Sequence, residues 1–310
     1  MKLNFFDRVL DMACFHPLTA WKDWSGRVHF GDPPEAPKNF IGKLETFTLP
    51  CGKCVGCLID RSKQWALRCV LEAKSSEYNC FLTLTYDDEH LPQDGSLDFD
   101  HLTKFLKRFR KKFSKDRIRY YAVGEYGAKL SRPHFHIIVF GFDFPDKWLW
   151  SVARGEKLYR SPSLESLWTY GYSSVGSVTF ESCAYVARYV QKKLYGVDRE
   201  DVLKHYGGRI PEAARMSRRP GIASAFFHEF VGDIYPKDFI TVKGRKYKPG
   251  RYFDMLYKKE HPEEMLQVRI KRLESALEKI DDCTPGRLAA REMVQQDRVK
   301  KLIRGFESGS

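Results

Sequence analysis

Apolar and polar positions change their period along the chain, and each change predicts an element. In Asn79–Asp88, NCFLTLTYDD, Leu82 and Leu84 alternate with Thr83 and Thr85, the period of a half-buried strand. Leu102, Phe105, Phe109 and Phe113 then recur at helical spacing, which predicts one helix running through Lys104–Arg119. Ile118–Glu125, IRYYAVGE, predicts a second strand, HFHIIVFGF a third, and GYSSVGSVTF a fourth that feeds the helix ESCAYVARYVQKKLYG. The short turn region YGAKLSRP suits an antiparallel neighbour rather than a crossover. These periods predict an α+β domain over 75–200, an antiparallel sheet with helices covering one face.

The flanks carry weaker patterns. Residues 1–50 are expected to be irregular, with Pro and Gly scattered through GDPPEAPKNFIGK. CGKCVGC and a helix over LIDRSKQWALRCVLEAKSS follow, making 1–74 an N-terminal segment with a cysteine cluster. Residues 201–310 are expected to form a basic, mainly helical C-terminal extension. In it YPKDFITVKGRKYKPGRYF predicts a hairpin or loop. Leu266, Ile270, Leu273, Leu277 and Ile280 follow a 4-3-4-3 spacing, too short for a coiled coil, so helices packing on the domain are expected. Thr284–Gly286 ends that helix and another charged helix follows.

Composition narrows the class. At 310 residues and 43% hydrophobic, the chain is long enough for a sizeable core of ordinary soluble composition. No apolar run approaches the roughly 20 residues of a membrane span. The N-terminal MKLNFFDRVLDMACFHPL has acids inside its apolar stretch and no small-residue cleavage site, so no signal peptide is read there. A cytosolic chain is expected, whose eight cysteines serve as thiols or metal ligands rather than disulfides.

The net charge of +13 seeks polyanions through attraction and counterion release. It is clustered: Lys104–Arg119 carries nine basic residues and one acid. Such runs are usually solvated faces. Here the sign is too one-sided for mutual salt bridging, which favours nucleic-acid contact through Lys104, Lys107, Arg108, Lys111 and Lys112.

RPHFHIIVFG sets two imidazoles on one face of a strand, because residues i and i+2 point the same way. His134 and His136 are then about 7 Å apart at the backbone. A lone buried histidine is usually structural, whereas two aimed together make a metal platform. Glu125 ends the preceding strand, and antiparallel pairing would bring it alongside. Two imidazoles and one carboxylate leave positions open for water and substrate, which suits Mg²⁺ or Mn²⁺ and is also compatible with non-haem iron.

YVARYVQKK supplies a second chemistry. At 100° per residue Cys183, Ala187, Val190 and Leu194 form an apolar stripe, with Tyr185, Tyr189 and Lys192 roughly opposite. The tyrosines stand one turn apart, Lys192 a turn beyond Tyr189, and Arg188 close by. A phenol of pKa near 10 becomes a useful nucleophile when a cation stabilises the phenolate and a metal polarises a phosphodiester. Attack gives a phosphotyrosine and a free 3′-hydroxyl, and a second tyrosine in reach takes the next strand.

CGKCVGC places Cys51, Cys54 and Cys57 at x2 spacings, with small residues between them that permit tight turns. Cys14, His16 and Cys69 are candidates for a fourth ligand, Cys14 preferred. Zn²⁺ in a structural role is the default for such thiolates, with an iron–sulfur cluster and unliganded thiols as alternatives.

Taken in order, FLTLTYDD, RPHFHIIVFG and YVARYVQKK resemble the motifs of the HUH endonuclease superfamily of rolling-circle replication initiators. With PCGKCVGC, RSKQWALR and GEYG, the set most resembles the replication initiation proteins of gokushoviruses, small single-stranded DNA phages, over about Met12–Leu194. The resemblance implies an RRM-like sheet with Mg²⁺ or Mn²⁺ held by His134, His136 and Glu125. It implies Tyr185 and Tyr189 as nucleophiles with Lys192 as basic partner. It further implies metal-dependent nicking of single-stranded or supercoiled phage DNA at the origin, covalent attachment of the 5′ end and strand transfer, in the bacterial host cytoplasm. No GxxxxGK[ST] helicase motif is present, so a host helicase and polymerase are the expected partners, and no membrane. A plasmid or transposon relaxase would share this chemistry. A non-enzymatic, zinc-stabilised nucleic-acid-binding protein would explain charge and cysteines but leave the histidine and tyrosine pairs idle.

Overall fold

A computed structural model of the chain describes residues 14–23, 25–34, 46–127, 130–153, 155–192 and 199–300. In chain order the first elements are β1 (Leu18–Lys22), β2 (Val28–Phe30), β3 (Thr46–Leu49), α1 (Val55–Lys74), β4 (Asn79–Tyr86) and α2 (Phe99–Lys112). Then come β5 (Arg119–Tyr126), β6 (Pro133–Phe140), β7 (Trp148–Ala153), β8 (Glu156–Arg160), α3 (Pro162–Leu167), β9 (Gly171–Gly176) and α4 (Phe180–Lys192). The remainder is α5 (Arg199–Tyr206), β10 (Ala213–Met216), α6 (Ser224–Ile234), β11 (Ile240–Val242), β12 (Arg245–Tyr247), α7 (Gly250–Glu260), α8 (Pro262–Leu277) and, after a 3₁₀ turn, α9 (Pro285–Lys300). One compact unit is Ser62–Glu229, and the other joins chain before it to chain after it.

Ser62–Glu229 is an α+β unit built on a seven-stranded antiparallel sheet of order β10-β5-β6-β4-β9-β8-β7. β6 is antiparallel to both β4 and β5, so β4 and β5 run parallel, with α2 crossing between them and β6 inserted: a split βαβ unit. The central order β5-β6-β4-β9 is the RRM-like arrangement.

Side-chain alternation divides the sheet into two faces. Leu82, Leu84, Ala122, Phe135, Ile137, Val139 and Val175 face α2 and α3 in one core. Tyr121, Val123, Ile138 and Phe140 form the second core with Cys69 of α1 and Cys183 and Val186 of α4. Helices therefore cover both faces, where one was expected. The reason lies in Ile138 and Phe140, which are as buried as their neighbours and need a second apolar layer.

On the first face Phe109 packs its ring against Phe105, Phe113, Phe142 and Phe144. Each phenylalanine so buried contributes about 1.5–3 kcal/mol. Gly124 permits this packing, since a Cβ there would lie 2.9 Å from Leu97 Cδ2 and 3.0 Å from Phe135 Cε1. Asp98 caps α2, its carboxylate accepting the N–H groups of Asp100 and His101 at 2.7 and 3.2 Å. α2 stops at Lys112, short of the Arg119 expected, because Phe113–Asp116 forms a turn in which the Asp116 N–H bonds the Phe113 carbonyl at 3.1 Å.

The other unit corrects the expectation of irregular chain over residues 1–50, for β2-β1-β3 form a three-stranded antiparallel sheet. β11 and β12 make the expected hairpin. α8 carries the 4-3-4-3 residues as far as Leu277 and α9 is the second charged helix. Arg272 of α8 bonds the carboxylates of Asp238 and Asp254, and Tyr235 stacks on Tyr257 at 4.0 Å between centroids. No helix among the described residues is long and apolar enough to cross a membrane.

Candidate metal centre and the tyrosine beside it

Strand register assembles the centre. β5 and β6 pair so that Glu125 stands opposite His134 and Val123 opposite His136. β4 flanks the histidines from the other side, Thr85 against His134 and Thr83 against His136. The hairpin closes just beyond this row, with the Gly127 N–H on the Arg132 carbonyl at 3.0 Å. Arg132 also donates to the Tyr86 carbonyl at 2.9 Å and pairs with Asp88, tying the start of β6 to the end of β4.

Both imidazoles aim Nε2 at one atom. Glu125 Oε1 lies 2.8 Å from His134 Nε2 and 2.9 Å from His136 Nε2. His134 Nδ1 lies 3.1 Å from the Arg132 carbonyl, which only an N–H can satisfy. The neutral ring therefore turns its Nε2 lone pair toward a carboxylate, a repulsion that a proton or a cation must relieve. His136 Nδ1 is held by the Thr83 hydroxyl at 3.1 Å. Glu125 Oε2 is buried with no hydrogen-bond partner among the described residues.

Burial pushes the Glu125 carboxyl up, but the imidazoles, His136 first and then His134, outweigh it and hold it at about 2. Burial also opposes a charge on His134, and Glu125 overcomes this to raise its pKa. At His136 burial prevails over Glu125 and the pKa falls. The carboxylate is thus ionised and His136 neutral, the forms that ligate metal. The three donor atoms lie within 4.8 Å of one another. Two imidazole nitrogens, one carboxylate and an orphaned buried oxygen fit a divalent cation.

Tyr185 completes the site. Thr179 and Ser182 bond reciprocally at the start of α4, at 2.8 and 3.1 Å, and fix where the helix begins. Cys183, Val186 and Ala187 are its buried face, with Val186 taking a place the predicted stripe did not give it. Ser62 of α1 donates to the Ala187 carbonyl at 3.1 Å. Tyr185 is half-buried, its ring centroid 5.4 Å from that of His136, and its hydroxyl donates to Glu125 Oε1 at 3.3 Å. Tyr189, Lys192 and Arg188 fall within α4, but their side chains lie outside the described residues.

The cysteines form a separate group. Cys14, Cys51, Cys54 and Cys57 bring their sulfurs within 4.8 Å of one another, Cys14 being the preferred fourth member. Backbone N–H groups point at three of them: Phe15 at Cys54 (3.3 Å), Cys51 at Cys14 (3.3 Å) and Cys54 at Cys51 (3.3 Å). The Cys14 thiol is drawn down to about 5, chiefly by Cys57, and Cys57 is pushed up in turn, first by Cys14. A thiolate is thus stabilised within the quartet, as a soft cation requires. His16 instead bonds Glu292 at 2.6 Å, and Cys69 is buried under the sheet.

The predicted nucleic-acid helix is not gathered to this centre. α2 packs on the sheet face opposite His134 and His136. Lys104, Lys107 and Lys111 are exposed on it. Arg108 bonds the Leu167 carbonyl through Nε (3.0 Å) and Nη2 (2.7 Å), and Lys112 bonds Ser166 Oγ at 2.9 Å. Sequence reasoning missed Glu212, a buried carboxylate that accepts the Tyr126 N–H at 3.0 Å beside Glu125 and raises the His134 pKa. It stands in GGRIPEAARM, where no periodicity marks it.

The family model for the replication-associated protein ORF2 and gene 2 protein matches residues 79–194, the stretch that holds the triad and Tyr185. The chain is 32% identical to the replication-associated protein VP4 of Bdellovibrio phage phiMH2K over 271 residues, 84% of this chain and 82% of the relative. It is 35% identical to the replication-associated protein ORF2 of Spiroplasma virus 4 over 281 residues, 84% of this chain and 85% of the relative. Replication-associated protein ORF4 of Chlamydia phage 1 is 38% identical over 227 residues, 70% of this chain and 55% of the relative. No solved structure matches the chain.

Proposed function

The chain belongs to the family of phage replication-associated proteins that includes ORF2 of Spiroplasma virus 4, and on that premise we propose that it initiates rolling-circle replication by nicking origin DNA with a tyrosine nucleophile. One observation carries the reading: the Tyr185 hydroxyl donates to the carboxylate oxygen on which His134 and His136 converge. A non-enzymatic DNA-binding role gives that convergence nothing to do.

Glu125, His134 and His136 would hold a divalent cation of the Mg²⁺ or Mn²⁺ class. Such an ion, when bound, withdraws charge from the non-bridging oxygens of a phosphodiester. Thr83 and the Arg132 carbonyl fix the imidazoles from behind, and Glu125 orients the phenol toward the same point. In the proposed step the Tyr185 oxygen bonds to phosphorus and the phosphorus–O3′ bond breaks. The phenol loses its proton and O3′ gains one, leaving a 5′-phosphotyrosine and a free 3′-hydroxyl. One ester replaces another, so a later 3′-hydroxyl can reverse the exchange and rejoin the strand. Tyr189, one turn along α4, is proposed as the second nucleophile, with Lys192 and Arg188 as the cations that favour a phenolate.

Zn²⁺ is proposed for the cysteine quartet, where four thiols with backbone N–H support match a tetrahedral structural site. The chain would act in the bacterial host cytoplasm on the phage origin, with a host helicase and polymerase supplying unwinding and synthesis.

The test is to incubate the protein and Mn²⁺ with 3′-labelled single-stranded oligonucleotides tiled along the encoding genome, then run denaturing gels. A label shifted to protein mass by one or a few adjacent oligonucleotides is expected. Cleavage with no protein-linked product would overturn the tyrosine mechanism.

A further inference from the structure

The sheet face that bears the histidines is covered over β5 and β6, by α1 and α4. Toward β9, β8 and β7 that same face carries exposed aromatic rings. Tyr172 lies opposite Thr85, which lies opposite His134, so Glu125, His134, Thr85 and Tyr172 form one row across the sheet. The next row runs from His136 through Thr83 to Ser174. Tyr159 opposite Val175 sets Arg160 beside Ser174, and Trp148 pairs with Arg160. Tyr172 is 68% exposed and Trp148 51%. At a strand spacing of about 4.8 Å, Tyr172 stands about 10 Å from His134 and Trp148 about 19 Å from His136.

We propose that this uncovered half-face is the track for single-stranded DNA flanking the scissile phosphate, with bases stacked on Tyr172 and Trp148. The inference rests on the nicking reading for what lies at the end of the track. Three features favour this occupant. The rows continue directly into the candidate metal centre. Exposed aromatic rings offer π-faces that any base can stack on, whereas bases in a duplex are already stacked on one another. The chain's charge of +13 draws a polyanion to it, and Arg160 sits between the two rings, its Nε 2.7 Å from Glu165. A second copy of the chain, pairing along the exposed Leu149, Trp150 and Val152 of β7, is the competing occupant.

The test uses the full chain with EDTA present, so that nothing is cleaved, and measures anisotropy of a labelled oligothymidylate. Tyr172→Ala and Trp148→Ala should each weaken binding by about 5- to 100-fold. The slope of affinity against salt should stay unchanged, because neither substitution removes a cation from the phosphates. Tyr172→Phe keeps the ring and should bind within about twofold of the parent, which separates stacking from misfolding. Wild-type affinity in both alanine variants overturns the inference. So does an effect on sedimentation, with DNA binding intact, which assigns the face to a second copy. A parent that binds oligothymidylate through these rings but forms no covalent product with Mn²⁺ would instead sink the nicking reading and leave the track standing.

Discussion

Tyr185 and Glu125 lie 60 positions apart in the chain, and the phenol hydroxyl donates to the carboxylate Oε1 at 3.3 Å. The contact joins a helix to a strand, and each partner is fixed by a different rule. Strand register places Glu125 against His134. The buried face of Cys183, Val186 and Ala187 turns α4 so that Tyr185 reaches the sheet.

Metal occupancy of the triad should appear as stability. Mn²⁺ in hundredfold excess over its Kd is expected to stabilise the protein by about 2.7 kcal/mol. Thermal unfolding with and without Mn²⁺ checks this. Glu125→Gln removes the charged ligand and should abolish the shift; an equal shift in both proteins would place the ion elsewhere.

The cysteine quartet should hold about one zinc per chain. Elemental analysis of protein purified without added metal reads the ratio directly. Cys51→Ser with Cys54→Ser should lose the zinc and lower the unfolding temperature. Thiols that react fully with a thiol reagent in the native parent would indicate no bound ion.

Glu72 is buried, pairs with Arg119 and accepts the Ala223 N–H, while Arg119 also bonds the Pro220 and Gly221 carbonyls. Glu72→Ala leaves a buried guanidinium without its counter-charge and should cost about 3–5 kcal/mol. Urea unfolding of parent and variant measures the loss, and a change under about 1 kcal/mol would mean water replaces the carboxylate.

The basic helix divides its cations between two tasks. Lys104, Lys107 and Lys111 are exposed, whereas Arg108 and Lys112 are engaged by Leu167 and Ser166. Replacing the three exposed lysines by Gln should flatten the salt dependence of single-strand binding by about 0.7 for each phosphate no longer neutralised. Arg108→Gln should chiefly lower stability. An unchanged slope in the triple variant would mean that α2 does not touch DNA.

Much of the sheet is legible in the sequence because alternation is a local signal. Leu82 and Leu84 against Thr83 and Thr85 mark β4, and His134 with His136 marks the centre-bearing face. Cys14 is legible by residue type alone, since the cluster wants a fourth soft ligand. What stays hidden depends on distant packing. The strand Val28–Phe30 is too short to show a period. The second helical layer follows from which side of β6 α1 and α4 choose, and the placing of α2 opposite the histidines follows from the same choice. Glu212 becomes visible only when β10 pairs with β5, Ala213 against Gly124.

Peptide mapping of the covalent product by mass spectrometry is the most direct measurement. Protein incubated with Mn²⁺ and a cleavable single strand, then digested with nuclease and protease, should carry a nucleotide phosphate on Tyr185 or, in turn, on Tyr189. Nothing should form in His134→Ala with His136→Ala. A nucleotide linked to any other residue, or an adduct that persists without the histidines, would contradict attack by a phenol at a metal held by His134, His136 and Glu125.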